Sequence, residues 1–204
     1  MIELGPLLVQ GGWCQIFAVK GQPGICAKVL IPKRRFKNER PDPNIIVKEK
    51  YGISDFLEYE WSNYNKIIAS CPKHLRTYFV TVHGIKITTD GRKALVMNTV
   101  YNQQGHIATN LVNNTQPLSP KFIEILELIR NEVFLAHNID HFGIARRNIL
   151  VLSPEHPVII DFQTGRERFR GQFWLRHPWF VRQKINRCFR KLYKELDINY
   201  LNLC

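Results

Sequence analysis

A lysine stands in the middle of an apolar run near the start of the chain. Residues 25–31 read ICAKVLI, with Lys28 at their centre. A short run of this composition after the turn sequence KGQPG predicts a strand. An unpaired ammonium costs several kcal/mol to bury in such a strand, so the fold has to bring a carboxylate to Lys28. The alternative is a strand at a sheet edge, whose lysine extends its ammonium into solvent.

A helix that follows this strand offers the carboxylate. Asp55 and Glu58 have the spacing of a capping box, which predicts a helix beginning at residue 54 or 55. Apolar residues then recur at helical spacing, at Leu57, Trp61, Tyr64, Ile67 and Ile68. We predict that Glu60 of this helix pairs with Lys28. Glu58 competes for that role, and the remaining alternative is that Glu60 is only a surface charge.

The rest of the first hundred residues reads mostly as strands. The segments LLVQ and CQIFAV flank a glycine turn at Gly11 and Gly12. Two further strands, within residues 78–100, are joined at Asp90–Gly91, a strong hairpin signal. Residues 32–52 are charged, contain prolines and have no periodicity, which predicts a long exposed loop.

The second half of the chain reads mostly as helix. Residues 119–138 predict one long helix with Ser119 as its N-cap and Pro120 at its first position. Two short strands are predicted at 149–152 and 158–160, and an aromatic, basic helix after Pro178. This order predicts an α+β fold with a β-rich lobe over residues 1–100 hinged to an α-rich lobe over residues 101–204.

Two polar residues mark the ends of the two short strands. Asn148 directly precedes the apolar run ILVL, and Asp161 directly follows VII. Amide and carboxylate oxygens suit Mg²⁺, which keeps water and phosphate oxygens as its other ligands. With Lys28 and Glu60, these residues are the parts of a kinase nucleotide site. In such a site a lysine holds the phosphates, a glutamate holds the lysine, and an asparagine and an aspartate hold the metal.

Longer motifs add a family resemblance. The segment HFGIARRNIL has the frame of the kinase catalytic loop, with His141, Ile144 and Asn148 in place, and IIDFQ has the frame of D-F-G. The segments GGWCQIFAV, ICAKVL, EWSNYNKI, RRNIL and WFVRQKINRCFRKLYKEL resemble the YrbL family of small kinase-like bacterial proteins. This resemblance covers nearly all of the chain except residues 32–54. A more distant similarity is to the lipopolysaccharide-core sugar kinases.

The resemblance implies a protein-kinase-like two-lobe fold, with a small β-rich N-lobe and a helical C-lobe. It implies a nucleotide ligand, ATP, with Mg²⁺ or Mn²⁺, and it assigns residues to them. Gly11, Gly12, Lys28 and Glu60 are the nucleotide-binding candidates, Asn148 and Asp161 are the metal ligands, and Lys28, Asn148 and Asp161 are the catalytic candidates.

The chain also departs from the kinase pattern. Gly143 stands five residues before Asn148, where a kinase has its catalytic aspartate, and glycine cannot accept the proton of a hydroxyl. Gln163 replaces the glycine of D-F-G, and the glycine loop is reduced to Gly11 and Gly12. We therefore expect nucleotide and metal binding to persist and ordinary hydroxyl phosphorylation to be slow or absent.

Three functions follow as hypotheses. The first is a cytoplasmic kinase-like protein that binds ATP and magnesium and is an atypical or weak phosphotransferase, transferring either a phosphoryl group or AMP. The second is a catalytically inactive pseudokinase that acts as a regulatory binding module. The third is a lipopolysaccharide-core sugar kinase at the inner membrane face, against which Gly143 counts because that reaction also deprotonates a hydroxyl.

Other candidate sites are weaker. His137 and His141 have the i, i+4 spacing of zinc ligands, but the glutamate base of H-E-x-x-H is missing and no third ligand is evident. The five cysteines (Cys14, Cys26, Cys71, Cys188 and Cys204) form no CxxC pair, and their odd number favours reduced, inert thiols in a cytoplasm.

The charge of the chain suggests anionic partners. The formal net charge is +12, which attracts nucleic acid, anionic membranes or phosphorylated ligands. The terminal helix has an apolar face (Ile185, Cys188, Phe189, Leu192 and Leu196) and basic residues elsewhere (Arg182, Arg187, Arg190, Lys191 and Lys194). We expect the apolar face to pack on the protein and the basic residues to face an anionic partner or membrane surface. No nucleic-acid motif is present. No apolar run reaches the ~18 residues of a membrane span.

Overall fold

The fold is mixed α+β, as the order of elements predicts. The computed structural model describes residues 1–31, 42–45, 48, 52, 54–139, 144–162 and 177–196. The strands are β1 (Leu4–Gln10), β2 (Cys14–Val19), β3 (Ile25–Leu30), β4 (Val82–Ile87), β5 (Lys93–Asn98), β6 (Ile149–Ser153) and β7 (His156–Ile159). The α-helices are α1 (Phe56–Ser70), α2 (Pro120–Leu128) and α3 (Pro178–Glu195). Short 3-10 helices span Lys73–Tyr78 and Arg146–Asn148, and a π-helix spans Ile129–Leu135.

The chain divides into two compact units. The first consists of Met1–Tyr64 and Val80–Thr99, and the second of Asn65–Phe79 and Val100–Cys204. The division after Thr99 lies next to the lobe boundary predicted at residue 100. Residues 65–79, which include the end of α1, group with the second unit.

The first unit is built on an antiparallel sheet with the strand order β1-β2-β3-β5-β4. Ile2, which precedes the edge strand β1, hydrogen-bonds to the end of the other edge strand, β4. Its N–H donates to Ile87 O at 2.9 Å, and its carbonyl accepts from Thr89 N–H at 2.9 Å. One face of the sheet forms an apolar core, made of Ile2, Val19, Ala27, Val29, Ala94 and Val96. The Asp90–Gly91 turn connects β4 to β5 as predicted, and Gly91 has the left-handed φ of 82° that glycine tolerates best.

Helix α1 begins where the sequence predicts it. The Asp55 carboxylate accepts the backbone N–H groups of Leu57 at 2.9 Å and Glu58 at 3.0 Å, which is an N-cap. The prediction of an exposed loop over residues 32–52 is wrong at residues 43–45, which are helical. Asn44 Oδ1 there accepts from Phe56 N–H at 2.9 Å, so this segment helps to fix the start of α1.

The second unit departs from one sequence prediction. The helix predicted over 119–138 is α-helical only as far as Leu128 and continues as the π-helix. Pro120 occupies the first position as predicted, but Ser119 makes no side-chain cap and its Oγ is buried without a partner. The π-helix is lined by the buried side chains of Ile129, Val133 and Phe134. The wider π turn places all three on the inner side, where the hydrophobic effect stabilises them.

The remaining elements of the second unit agree with the predictions. Strands β6 and β7 pair antiparallel, with Ile149 opposite Ile159. Helix α3 begins at Pro178 and packs on the π-helix, where the Phe134 and Phe189 ring centroids are 6.0 Å apart. None of the described helices is long and apolar enough to cross a membrane.

Candidate functional site

Lys28 and Glu60 form a buried ion pair inside the first unit. Lys28 Nζ lies 2.8 Å from Glu60 Oε1 and 2.7 Å from Oε2, so one ammonium contacts both carboxylate oxygens. Only 7% of Lys28 and 1% of Glu60 is exposed. Strand β3 lies between β2 and β5, and Lys28 is opposite Ile16 and Leu95. The alternative of a surface lysine at a sheet edge is therefore wrong.

Helical spacing explains why Glu60, and not Glu58, reaches the lysine. Leu57, Glu60 and Tyr64 occupy positions i, i+3 and i+7 of α1, and all three are buried. Asn63 is buried beside them. Glu58 lies off this stripe, and its Oε1 accepts from Lys93 Nζ at 2.6 Å on the surface. The competition between the two glutamates is thus resolved by the face of the helix on which each one lies.

A second lysine holds the start of the same helix. Lys93 of β5 lies 2.6 Å from Glu58 and 3.2 Å from Asp55, with partly exposed side chains. The hydrogen bond from Lys93 to Glu58, followed by that to Asp55, raises the pKa of Lys93 above its ordinary value. Glu58 therefore has a structural partner of its own, which the sequence did not reveal.

Aromatic residues fix the position of α1 further along. The backbone N–H of Val82 donates to the Tyr64 hydroxyl at 3.2 Å. The indole of Trp61 packs over Gly84, where the backbone φ is 107° and a Cβ would lie 3.6 Å from the ring. Trp61 and Tyr64 stack with centroids 5.5 Å apart. Strand β4 and helix α1 are therefore linked at two points, Val82–Tyr64 and Gly84–Trp61, which fix the helix that carries Glu60.

The glycine turn between β1 and β2 is tight. Gly11 N–H donates to Cys14 O at 2.8 Å, and a Cβ on Gly11 would lie 2.9 Å from that oxygen. Real Cβ atoms essentially never come this close to an oxygen, so any other residue at position 11 would force the turn to shift. Gly11 and Gly12 are both exposed. A turn this short offers few backbone N–H groups to an anion.

Asn148 and Asp161 lie next to each other at one end of the β6–β7 hairpin. Asn148 ends the 3-10 helix before β6, and it is buried. Ile160 N–H donates to Asn148 O at 2.9 Å, which brings the backbone of the following residue, Asp161, beside Asn148. The two strand ends that the sequence predicted are thus adjacent within the second unit.

Asp161 has an unusual backbone conformation. Its φ is 67°, in the left-handed region that side-chain-bearing residues rarely adopt. Such conformations cost of order 1 kcal/mol or more and are concentrated at functional sites, where the surrounding structure enforces them. The sequence gives no signal of this strain, because an aspartate before a phenylalanine is commonplace.

The oxygen donors of Asn148 and Asp161 fit Mg²⁺ better than zinc. Magnesium takes one or two protein oxygens and completes its shell with water and phosphate oxygens. Zinc requires three or four nitrogen, sulfur or oxygen ligands from the protein. Across the residues that the structure describes, His, Cys, Asp and Glu form no group of three. His137 is exposed, and its predicted zinc partner His141 lies outside the described residues.

Four cysteine thiols lie within the described residues, and three of them are buried. Cys14, Cys26 and Cys71 are buried and reduced, and Cys188 is half-buried and reduced. Burial raises the pKa of Cys71 to about 11, which keeps it protonated at neutral pH. Cys204 lies outside the described residues. The expectation of reduced, unactivated thiols is met at Cys71.

Several sequence positions that bear on catalysis lie outside the described residues. These are Gly143 at the predicted base position, Asp140, His141 and Gln163. The departure at Gly143 is therefore an observation about the sequence alone. The described residues include the other site candidates, Gly11, Gly12, Lys28, Glu60, Asn148 and Asp161.

No model of a protein family matches this chain, and no curated protein matches it. The features that bear on function are the buried Lys28–Glu60 pair in the first unit and the Asn148–Asp161 hairpin end in the second. Each is formed by residues far apart in sequence that the fold brings together.

Proposed function

We propose that this chain is a kinase-like protein that binds ATP with Mg²⁺. Lys28 holds the phosphates of the nucleotide and Glu60 holds Lys28, while Asn148 and Asp161 hold the metal. With this function we also propose that the α+β fold is a protein-kinase-like two-lobe fold. Its N-lobe spans residues 1–100 and its C-lobe spans residues 101–204.

The buried Lys28–Glu60 pair is the observation that carries the proposal. Desolvating two charges costs several kcal/mol per ion, and apolar residues of similar volume often stabilise a fold equally well. Stability alone is therefore a poor reason for a lysine in the central strand of a sheet. A fixed ammonium whose geometry is set by a carboxylate is suited to phosphate binding, where it acts as a localised positive charge.

The second unit supports the metal part of the proposal. An amide and a carboxylate at adjacent strand ends provide the oxygen donors that Mg²⁺ accepts, and Asp161 has a strained backbone. When bound, the metal would neutralise charge on the phosphate oxygens. The resemblance of the sequence to the YrbL family gives these residues the same order along the chain.

Gly143 at the position of the catalytic base favours slow phosphoryl transfer, or none. A general base contributes typically ~10²–10⁴-fold to such reactions, and glycine supplies none. A catalytically inactive pseudokinase is therefore the second candidate function. Both candidates require nucleotide binding, so binding is the property to test first.

Thermal unfolding with and without nucleotide tests binding. A ligand that binds only the folded state stabilises it by about 2.7 kcal/mol at a hundred times its Kd. We expect ATP with Mg²⁺ or Mn²⁺ to raise the Tm, Lys28→Ala to remove most of the shift, and Asp161→Ala to remove its metal-dependent part. Lys93→Ala is the control, because Lys93 of β5 pairs with Asp55 and Glu58 at the start of α1 on the surface, outside the proposed site. No shift in the wild type at millimolar ATP would refute the proposal.

Labelled ATP separates the two candidates. Incubation with α- or γ-labelled ATP and either metal shows whether AMP or a phosphoryl group becomes covalently attached. We expect little γ-label transfer in the wild type and more in Gly143→Asp, with Asp140→Asn leaving any activity unchanged. Brisk γ-label transfer by the wild type that Asp140→Asn abolishes would show that Asp140 is the base.

A further inference from the structure

Helix α3 uses its apolar face inside the second unit. Val181, Ile185, Phe189, Leu192 and Tyr193 are buried. Arg130 Nε, on the π-helix, donates to Asn186 Oδ1 at 3.2 Å and adds a polar contact to the packing. This face is therefore occupied, as the helical pattern predicts.

The exposed side of α3 is strongly basic. The helix has six Lys or Arg side chains (Arg182, Lys184, Arg187, Arg190, Lys191 and Lys194) and one acid, Glu195. Arg187, Lys191 and Lys194 are exposed, and their spacing puts them opposite the buried stripe. The Lys191–Glu195 pair at 3.6 Å is solvent-exposed and leaves this side positive.

Two large aromatic residues are exposed at the start of the same helix. Trp179 is 56% exposed and Phe180 is 41% exposed. Their rings pack edge to face, with centroids 4.8 Å apart and an interplanar angle of 84°. Arg187 follows Phe180 by seven residues, and Lys191 follows Arg187 by four. At this helical spacing the three side chains share one side of the helix. Exposed aromatic and cationic side chains therefore lie together on the outer side of the helix, a combination found where proteins meet a membrane interface.

We propose that Trp179, Phe180, Arg187, Lys191 and Lys194 form a docking surface for an anionic lipid bilayer. The cations complement lipid phosphates, and Trp and Phe side chains insert between headgroups at the membrane interface. Because the apolar stripe is packed within the protein, α3 docks on its exposed side and stays folded. Sites for single-stranded nucleic acid instead place successive bases on the faces of aromatic rings along a basic groove. The two rings here pack on each other at one end, which favours the membrane.

Vesicle sedimentation measures this docking directly. Each Lys or Arg near an anionic surface contributes about a factor of five to binding, so three contribute about a hundredfold. The probes are vesicles of phosphatidylcholine alone and of phosphatidylcholine with phosphatidylglycerol in equal parts. We expect salt-sensitive binding to the anionic vesicles only. The variant Arg187→Gln/Lys191→Gln/Lys194→Gln should bind about a hundredfold more weakly.

A matched control separates this surface from the net charge of the protein. Lys66→Gln/Lys73→Gln/Lys86→Gln removes three exposed cations outside α3 and should bind nearly as well as the wild type. Trp179→Ala/Phe180→Ala should weaken binding without changing its salt dependence. Circular dichroism and thermal unfolding verify that every variant is folded.

Three outcomes would overturn the proposal. The wild type does not bind anionic vesicles at low salt, the two triple variants lose binding equally, or the same α3 residues bind single-stranded RNA while the vesicles remain unbound. None of these measurements involves nucleotide, so a failure here leaves the proposed ATP-binding function untouched.

Discussion

Helix α1 is tied to the sheet by two lysines in very different surroundings. Lys28 reaches Glu60 in the interior, where both side chains are nearly inaccessible to solvent. Lys93 reaches Glu58 and Asp55 at the surface, where the lysine and Glu58 are close to half exposed. The chemistry of the two attachments is the same, and their energetics are not. Water screens the charges of the surface pair, whereas the charges of the buried pair have been desolvated at a cost in free energy.

This contrast in energetics suggests a different role for each ion pair. A surface pair adds little stability and costs little to form, so it serves to orient the first turn of α1. A buried pair is costly to assemble and costlier to break, because removing one partner leaves a charge without water or counter-ion. The surface pair is therefore structural, and under the proposed function the buried pair positions Lys28 for the nucleotide.

Breaking the buried attachment should have the largest effect. Glu60→Ala leaves the Lys28 ammonium buried without its carboxylate, which costs about 3–5 kcal/mol. Urea unfolding followed by circular dichroism measures the change in the free energy of unfolding. Glu60→Gln is the control, because it keeps the shape and should cost less. A loss below about 1 kcal/mol in Glu60→Ala would mean that Lys28 readily finds water.

The left-handed backbone of Asp161 predicts a smaller effect, a difference in stability between two similar variants. Asp161→Ala and Asp161→Gly both remove the carboxylate, but only glycine adopts a φ near 67° freely. We expect the glycine variant to be more stable than the alanine variant by about 1 kcal/mol. Both should lose the metal-dependent part of the ATP shift. Equal stability of the two would argue against strain at this position.

Breaking the surface attachment should have the smallest effect. Glu58→Ala or Lys93→Ala should change the free energy of unfolding by about 0–1 kcal/mol. The pKa of Lys93 is raised in the folded state, so the contribution is complete below the ordinary lysine pKa. It is lost as the pH rises through the raised value, and hence it is constant across neutral pH. A loss as large as that of Glu60→Ala would erase the distinction between the two attachments.

Much of the fold could be predicted because burial leaves a periodic mark on the sequence. Strands β1 to β5, the Asp90–Gly91 turn and the start of α1 follow from apolar runs, turn residues and capping. Lys28 was identifiable because a charge in an apolar strand requires a partner. Glu60 shares the helical stripe of Leu57 and Tyr64, which is the signal that separates it from Glu58.

The rest could not be predicted because it depends on contacts distant in sequence. The attachment of Ile2 beyond β4, the ion pairs of Lys93 and the cap from Asn44 have no local pattern. The π-helix after Leu128 escaped prediction for a different reason. Its apolar residues fit an α-helical pattern almost as well, and only the packing of Ile129, Val133 and Phe134 selects the wider turn.

The most direct test of the central claim replaces both members of the buried pair. Lys28→Met/Glu60→Leu removes the charges and fills the same space with apolar side chains. We predict a protein about as stable as the wild type, within about 1 kcal/mol, whose Tm no longer rises with ATP and Mg²⁺. A double variant that unfolds as readily as Glu60→Ala, or one that keeps the full ATP shift, would contradict the claim that this pair exists to bind nucleotide.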